Sequence, residues 1–198
     1  MLLLGSKLIG TNVLSLQTGR PIGVVERPII NPSNLKVIAY FVDGPLIKQQ
    51  PENILRMDEV REFGSMGMIV DSIDDLVSEE DVIKIRDILK LGFALVKYKV
   101  VTKKGKKVGR VIDYSVDSSS FMIQQLIVQR PIMSSLGASE LTIHRSQIVE
   151  IDDYKVVIDD DKDKVNVVAP VATKDTSGFV NPFRKEETLV EPAKTELK

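Results

Sequence analysis

Between positions 97 and 110 the chain carries Lys97, Lys99, Lys103, Lys104, Lys106, Lys107 and Arg110, with no acid among them. Cations at that density can neutralise RNA phosphates, dock an acidic protein surface, or meet anionic lipid heads. Tyr98 is the single aromatic residue in the stretch, so stacking of bases is not indicated. Lysines on a hairpin also guard a sheet against edge-to-edge pairing. The whole chain has a formal net charge of −1, so this basic character is local and implies no general affinity for nucleic acid.

Other chemistry is sparse. There is no cysteine and one histidine, His144, which removes the common zinc ligand sets and disulfide frameworks. An internal repeat, described next, sets His144 against Arg56. A position that accepts either side chain reads as a polar strand position. Asp159-Asp160-Asp161-Lys162-Asp163 opens like a calcium loop, but Lys164 stands where glycine is needed and Pro170 where the closing glutamate is needed. Asp58-Glu59 and Asp74-Asp75 are neighbouring carboxylates without the geometry that assigns an acid and a base. Nucleophile elbows, Walker loops and dinucleotide fingerprints are absent from the sequence. We expect no catalytic residue, no cofactor and no metal, and a protein that is not an enzyme.

The elements that must hold the basic stretch are duplicated. Gly19-Arg20-Pro21-Ile22-Gly23-Val24-Val25 and Gly105-Lys106-Lys107-Val108-Gly109-Arg110-Val111 share the pattern Gly-x-x-(Ile/Val)-Gly-x-Val, 86 positions apart. The offset continues through Leu35 with Phe121, Val37 with Ile123 and Pro45 with Pro131. After a shift of two it pairs Leu55 with Ile143 and Met68-Ile69-Val70 with Val156-Val157-Ile158. Short β-forming runs between turn residues, with no long helix inside either copy, predict small barrels. Gly23 and Gly109, inside strands, predict a bulge or a close approach of two backbones. Val37–Val42 and Phe121–Val128 read as buried strands. Ala94–Val101 reads as the strand opening the second copy, with Lys97 and Lys99 on one face. Gln124 and Gln125 must be exposed or paired.

Domains of this size bury thin cores and need closure or a neighbour. Residues 78–92 switch to helical spacing. Ser78 is the expected N-cap, Val82, Ile85, Ile88 and Leu89 form the apolar stripe, and Gly92 terminates it. From about Asp161 onward the composition predicts a disordered tail. Its one apolar island, Phe179 to Phe183, is a candidate docking motif. The opening leucines are too few for a signal peptide, and no apolar run approaches the ~20 residues of a transmembrane helix. A cytoplasmic location is expected.

The duplicated pattern resembles the PRC-barrel family, which includes the cytoplasmic domain of the photosynthetic reaction-centre H subunit and the C-terminal domain of a ribosome maturation factor. The matching features are Leu8-Ile9-Gly10 with Val13 and Leu14, the two Gly-x-x-(Ile/Val)-Gly-x-Val phrases, and strands 35–42 and 121–128. At the second opening, the offset sets Val96 against Gly10. The resemblance implies a mainly β chain of two tandem PRC-type barrels, residues 1–77 and 93–160, with a connecting helix at 78–92 and the tail at 161–198. It further implies a non-catalytic adaptor that binds another protein. An RNA- or ribosome-associated factor using the 97–110 hairpin is the alternative, and peripheral contact with anionic membranes is a third use for the lysines.

Overall fold

The computed structural model of the chain describes residues 1–48, 53–131, 139–152 and 154–159. The segment after Asp159, with its acidic opening and the Phe179–Phe183 island, and most of the loop expected at 133–139 lie outside the described residues.

The chain is mainly β and forms two sheets. In the first, strands run in the order β6 (Glu62–Gly64), β7 (Gly67–Val70), β2 (Asn12–Ser15), β3 (Pro21–Asn31), β4 (Lys36–Asp43), β5 (Ile54–Arg56) and β8 (Leu76–Val77). In the second, the order is β13 (Ile148–Ile151), β14 (Lys155–Ile158), β9 (Lys99–Thr102), β10 (Lys107–Asp117), β11 (Ile123–Gln129) and β12 (Glu140–His144). The first six strands of the first order match the second strand for strand, with β8 as an addition, and the equivalent pairs β2 with β7 and β9 with β14 are parallel. Among the described residues no ladder joins β5 to β6 or β12 to β13. Each sheet therefore curls without being hydrogen-bonded shut.

The curl has a local cause. β3 breaks register after Val25 and again after Ile29, and β10 does so after Val111 and after Ser115, at equivalent positions. A third irregularity precedes each strand glycine, opposite Leu14 in one copy and Val101 in the other. Each bulge adds twist and bends the strand. The glycines then let strands cross closely. A Cβ on Gly23 would stand 2.5 Å from the Asp43 carbonyl oxygen, and one on Gly109 would stand 2.1 Å from that of Gln129.

The two copies are fused about a pseudo-twofold axis. The Val37 N–H donates to the Phe121 carbonyl, and the Ile123 N–H donates to the Leu35 carbonyl, each at 2.9 Å. Between them Lys36 and Met122 form an antiparallel bridge. Leu35 and Phe121 carry left-handed backbones, φ 51° and 54°, an uncommon conformation for such side chains. Matching turns hold them there. Asn31 Oδ1 accepts from the Ser33 N–H at 2.9 Å, and Asp117 Oδ1 accepts from the Ser119 N–H at 3.0 Å. Both apolar side chains are buried, Phe121 against Phe63 of the other copy with ring centroids 6.0 Å apart. One continuous core results, running from Val13, Val37 and Met68 to Ile123, Leu126 and Val156.

Two connections differ from the sequence expectation. Leu2–Leu4 is a strand, β1, and pairs with Ser115–Asp117 of the second sheet. Gly5–Leu8 follows as a helical turn, α1, and Gly5 faces the Tyr114 ring so closely that no Cβ would fit. The connecting helix, α2, spans Ile83–Lys90, shorter than the 78–92 expected. The Ser78 N–H and Oγ do engage Asp81 Oδ2, at 3.0 and 2.7 Å, but they close a turn ahead of the helix, which starts after Val82. Ile85 is buried on the outer face of the first sheet against Ile29, Ala39, Phe41 and Ile54, with Val82, Ile88 and Leu89 alongside. Ile83, beside the stripe, stays exposed.

Candidate anion-binding groove on the second copy

The basic stretch divides on folding. Lys97 is not in a strand. Its backbone is left-handed, φ 78°, and its N–H donates to the Val111 carbonyl at 2.7 Å. Gly10, φ 81°, makes the same bond to Val25. Lys97 is thus the structural counterpart of Gly10, in place of Val96. The expected shared strand face of Lys97 and Lys99 is lost, because β9 begins only at Lys99. The reason is a hairpin loop one residue shorter than in the first copy. Leu14 pairs with Pro21, whereas Val101 pairs with Lys107.

At the hairpin tip, Gly105 adopts φ 77° and donates to the Thr102 carbonyl at 2.9 Å, a turn conformation that favours glycine. Lys104 and Lys106 are exposed there. Lys103 Nζ lies 2.7 Å from Asp159 Oδ2. Asp159 is buried at the end of β14, which runs parallel to β9.

Lys99, Lys107 and Arg110 come together with a residue that the sequence reading did not single out, Arg130. They line a groove of about 470 Å³ whose floor includes Val100, Val101 and Gly109, with Gln129 and Pro131 on the β11 side. The register places Lys99 directly opposite Arg110, and Arg110 directly opposite Gln129. Among the described residues no carboxylate lines the groove. Among the described residues none of these four cations forms an ion pair. Like charges directly opposed across strands are destabilising. The missing side chain of Gly109 lets β11 approach, and the Gln129 carbonyl occupies the place a Cβ would take.

The first copy has the same backbone with other chemistry. Asn12, Pro21, Val24 and Gly44 stand where the second has Lys99, Lys107, Arg110 and Arg130, and Asp43 stands where it has Gln129. Arg130 was findable by this signal, since the offset from Pro45–Pro131 sets a charge against Gly44.

The remaining candidates serve the fold. His144 Nδ1 accepts from the Ser146 N–H at 3.3 Å and lies 2.9 Å from its Oγ, and the His144 N–H donates to Gln147 Oε1. The ring thereby caps the 3-10 turn Arg145–Gln147. Arg56 binds both Asp58 and Glu59. Asp75 accepts from the Ser72 N–H at 2.9 Å. Hydrogen bonds and charge from Arg61 hold the Asp71 carboxyl below the ordinary range, and Ser78 does the same for Asp81. Burial pushes the hydroxyls of Tyr40 and Tyr114 above their ordinary value. Among the described residues no group of acids and histidine could hold a metal ion. No helix among them is long and apolar enough to cross a membrane.

Compared with known proteins, the chain matches no family model and no curated protein.

Proposed function

We propose that the chain is a non-catalytic, cytoplasmic adaptor built from two tandem PRC-type barrels, residues 1–77 and 93–160, joined through the 78–92 segment. It engages a protein partner through the basic groove of the second copy. The observation that carries this reading is the contrast at equivalent positions. One backbone, repeated, holds Asn12, Pro21, Val24 and Gly44 on one side and Lys99, Lys107, Arg110 and Arg130 on the other. The first copy folds without these charges, so the fold has no need of them. The opposed Lys99 and Arg110 cost stability that an incoming anion would return.

The exposed tip lysines, Lys104 and Lys106, favour a second reading, an RNA- or ribosome-associated factor. Capture of partners by the full chain at two salt concentrations, with and without nuclease, separates the two. The adaptor predicts a protein retained after nuclease and lost on Lys99→Asn/Arg110→Val. Loss after nuclease, with a steep salt dependence removed by neutralising Lys103, Lys104, Lys106 and Lys107, would favour RNA.

A further inference from the structure

We infer that the groove over Gly109 is a site for an extended peptide carrying acidic and aliphatic side chains, with Arg110 and Arg130 gripping its carboxylates. The inference rests on the adaptor reading and names what the groove holds.

Geometry supplies the first argument. Neighbouring strands lie about 4.8 Å apart, so Lys99, Arg110 and Gln129 form a row spanning about 10 Å across β9, β10 and β11. Lys107 and Arg130 flank that row. Acids on one face of an extended peptide recur about every 6.7 Å, so two of them can reach different cations at once. The volume, about 470 Å³, suits a few side chains rather than one ion.

Chemistry supplies the second. Guanidinium groups bind carboxylate or phosphate through two parallel N–H bonds. The rest of the lining selects between these. Val101 and Pro131 offer aliphatic contact, and Gln129 offers an amide that can meet peptide N–H and C=O groups. Among the described residues no aromatic ring lines the groove, so nucleobases find no stacking surface there. A flat lipid surface would not use a recessed aliphatic floor.

The third argument is a precedent inside the molecule. The hairpin already holds a carboxylate from an adjacent extended segment, with Asp159 on Lys103 at 2.7 Å.

The test uses fluorescence anisotropy on the full chain with a labelled synthetic peptide alternating glutamate and leucine. Three comparison probes are used: the same peptide with glutamine for glutamate, a polyuridine oligonucleotide, and phosphatidylserine-containing vesicles. The expected result is saturable binding of the acidic peptide only, weakened about tenfold or more by Lys99→Asn/Arg110→Val. The tip pair Lys104→Gln/Lys106→Gln should leave binding within about twofold, since screened surface charges contribute little. Thermal melting checks that both variants remain folded. Equal binding of the glutamine peptide, tighter binding of RNA or vesicles, or loss in the tip variant alone would overturn the inference. If the acidic peptide fails to bind while the cellular capture still returns a protein that Lys99→Asn/Arg110→Val releases, the peptide assignment falls and the adaptor reading stands. Peptide binding with no captured protein does the reverse.

Discussion

The two copies agree on the inside and disagree on the outside. β3 and β10 correspond residue for residue, with register breaks at matching points, and Leu35 and Phe121 share one rare backbone conformation. On the outer face, Ile29, Ala39, Phe41 and Ile54 of the first copy become Ser115, Gln125, Ile127 and Thr142 in the second. The apolar set gives α2 a surface to bury Ile85 against. In the second copy Ser115 Oγ pairs with Gln125 Oε1 at 3.2 Å, and among the described residues α2 has no counterpart over this set. The hairpin face differs in the same way, with one acid and no base in the first copy and four bases in the second. The core lining, the strand glycines and the turns before Leu35 and Phe121 specify the fold. The outward positions were free to diverge, one face toward a helix and another toward charge.

The comparison can be broken first at the twofold axis. Phe121→Ala should cost about 4 kcal/mol and Leu35→Ala about 3 kcal/mol, as large-to-small core changes do. Because the core is shared, denaturant melts of both variants should show a single transition. Separate transitions would mean that the copies fold independently. Next come the glycines. Gly109→Ala should cost about 3 kcal/mol and Gly23→Ala less, since the added carbon meets backbone more closely at Gln129 than at Asp43. The reverse ranking in urea melts would remove the argument from close approach.

A smaller effect has the opposite sign. Giving the second copy the first copy's residues, Lys99→Asn/Arg110→Val, should raise stability by up to about 1 kcal/mol. The gain should shrink in high salt as screening weakens the repulsion. A loss of stability would show that the two cations support the fold.

The smallest effect lies at acid pH. Asn31 and Asp117 hold equivalent turns. Hydrogen bonds from Ser119 keep the Asp117 carboxyl below its ordinary value of 3.8. A carboxyl depressed in the folded state contributes stability above its unfolded value and loses it as pH falls through the folded one. Asp117→Asn should therefore flatten the fall in melting temperature below about pH 4. An unchanged acid limb would place the sensitivity elsewhere, Asp71 with Arg61 being the next carboxylate to substitute.

Much of this architecture was legible in the residues. The repeated phrase located both hairpins, and the strand glycines announced the close crossings. The two glutamines at 124 and 125 required exposure or a partner, and Gln125 has one in Ser115. What stayed hidden depends on long-range pairing or on backbone angles. Three leucines at 2–4 have no period to reveal that they join a strand at Ser115–Asp117. A lysine in a left-handed turn looks like any lysine, so Lys97 was read as a strand residue and the one-residue shift passed unseen. Ser78 does donate twice to the Asp81 carboxylate, but the helix start is set where Val82 can reach the first sheet. Three bulges in each long strand erase the period-two alternation that would have shown its inward face. Arg130 escaped because it adjoins the cluster through β11, distant in sequence from the hairpin.

The pairing of Leu2–Leu4 with the far end of β10 has a consequence for biogenesis. These residues are synthesised ahead of the strands of the first sheet, yet their hydrogen-bonding mate is made only after that sheet and the helix that follows it. The nascent chain must therefore carry three exposed leucines while its first sheet assembles. A latch added last would make docking of the second copy the committing step of synthesis.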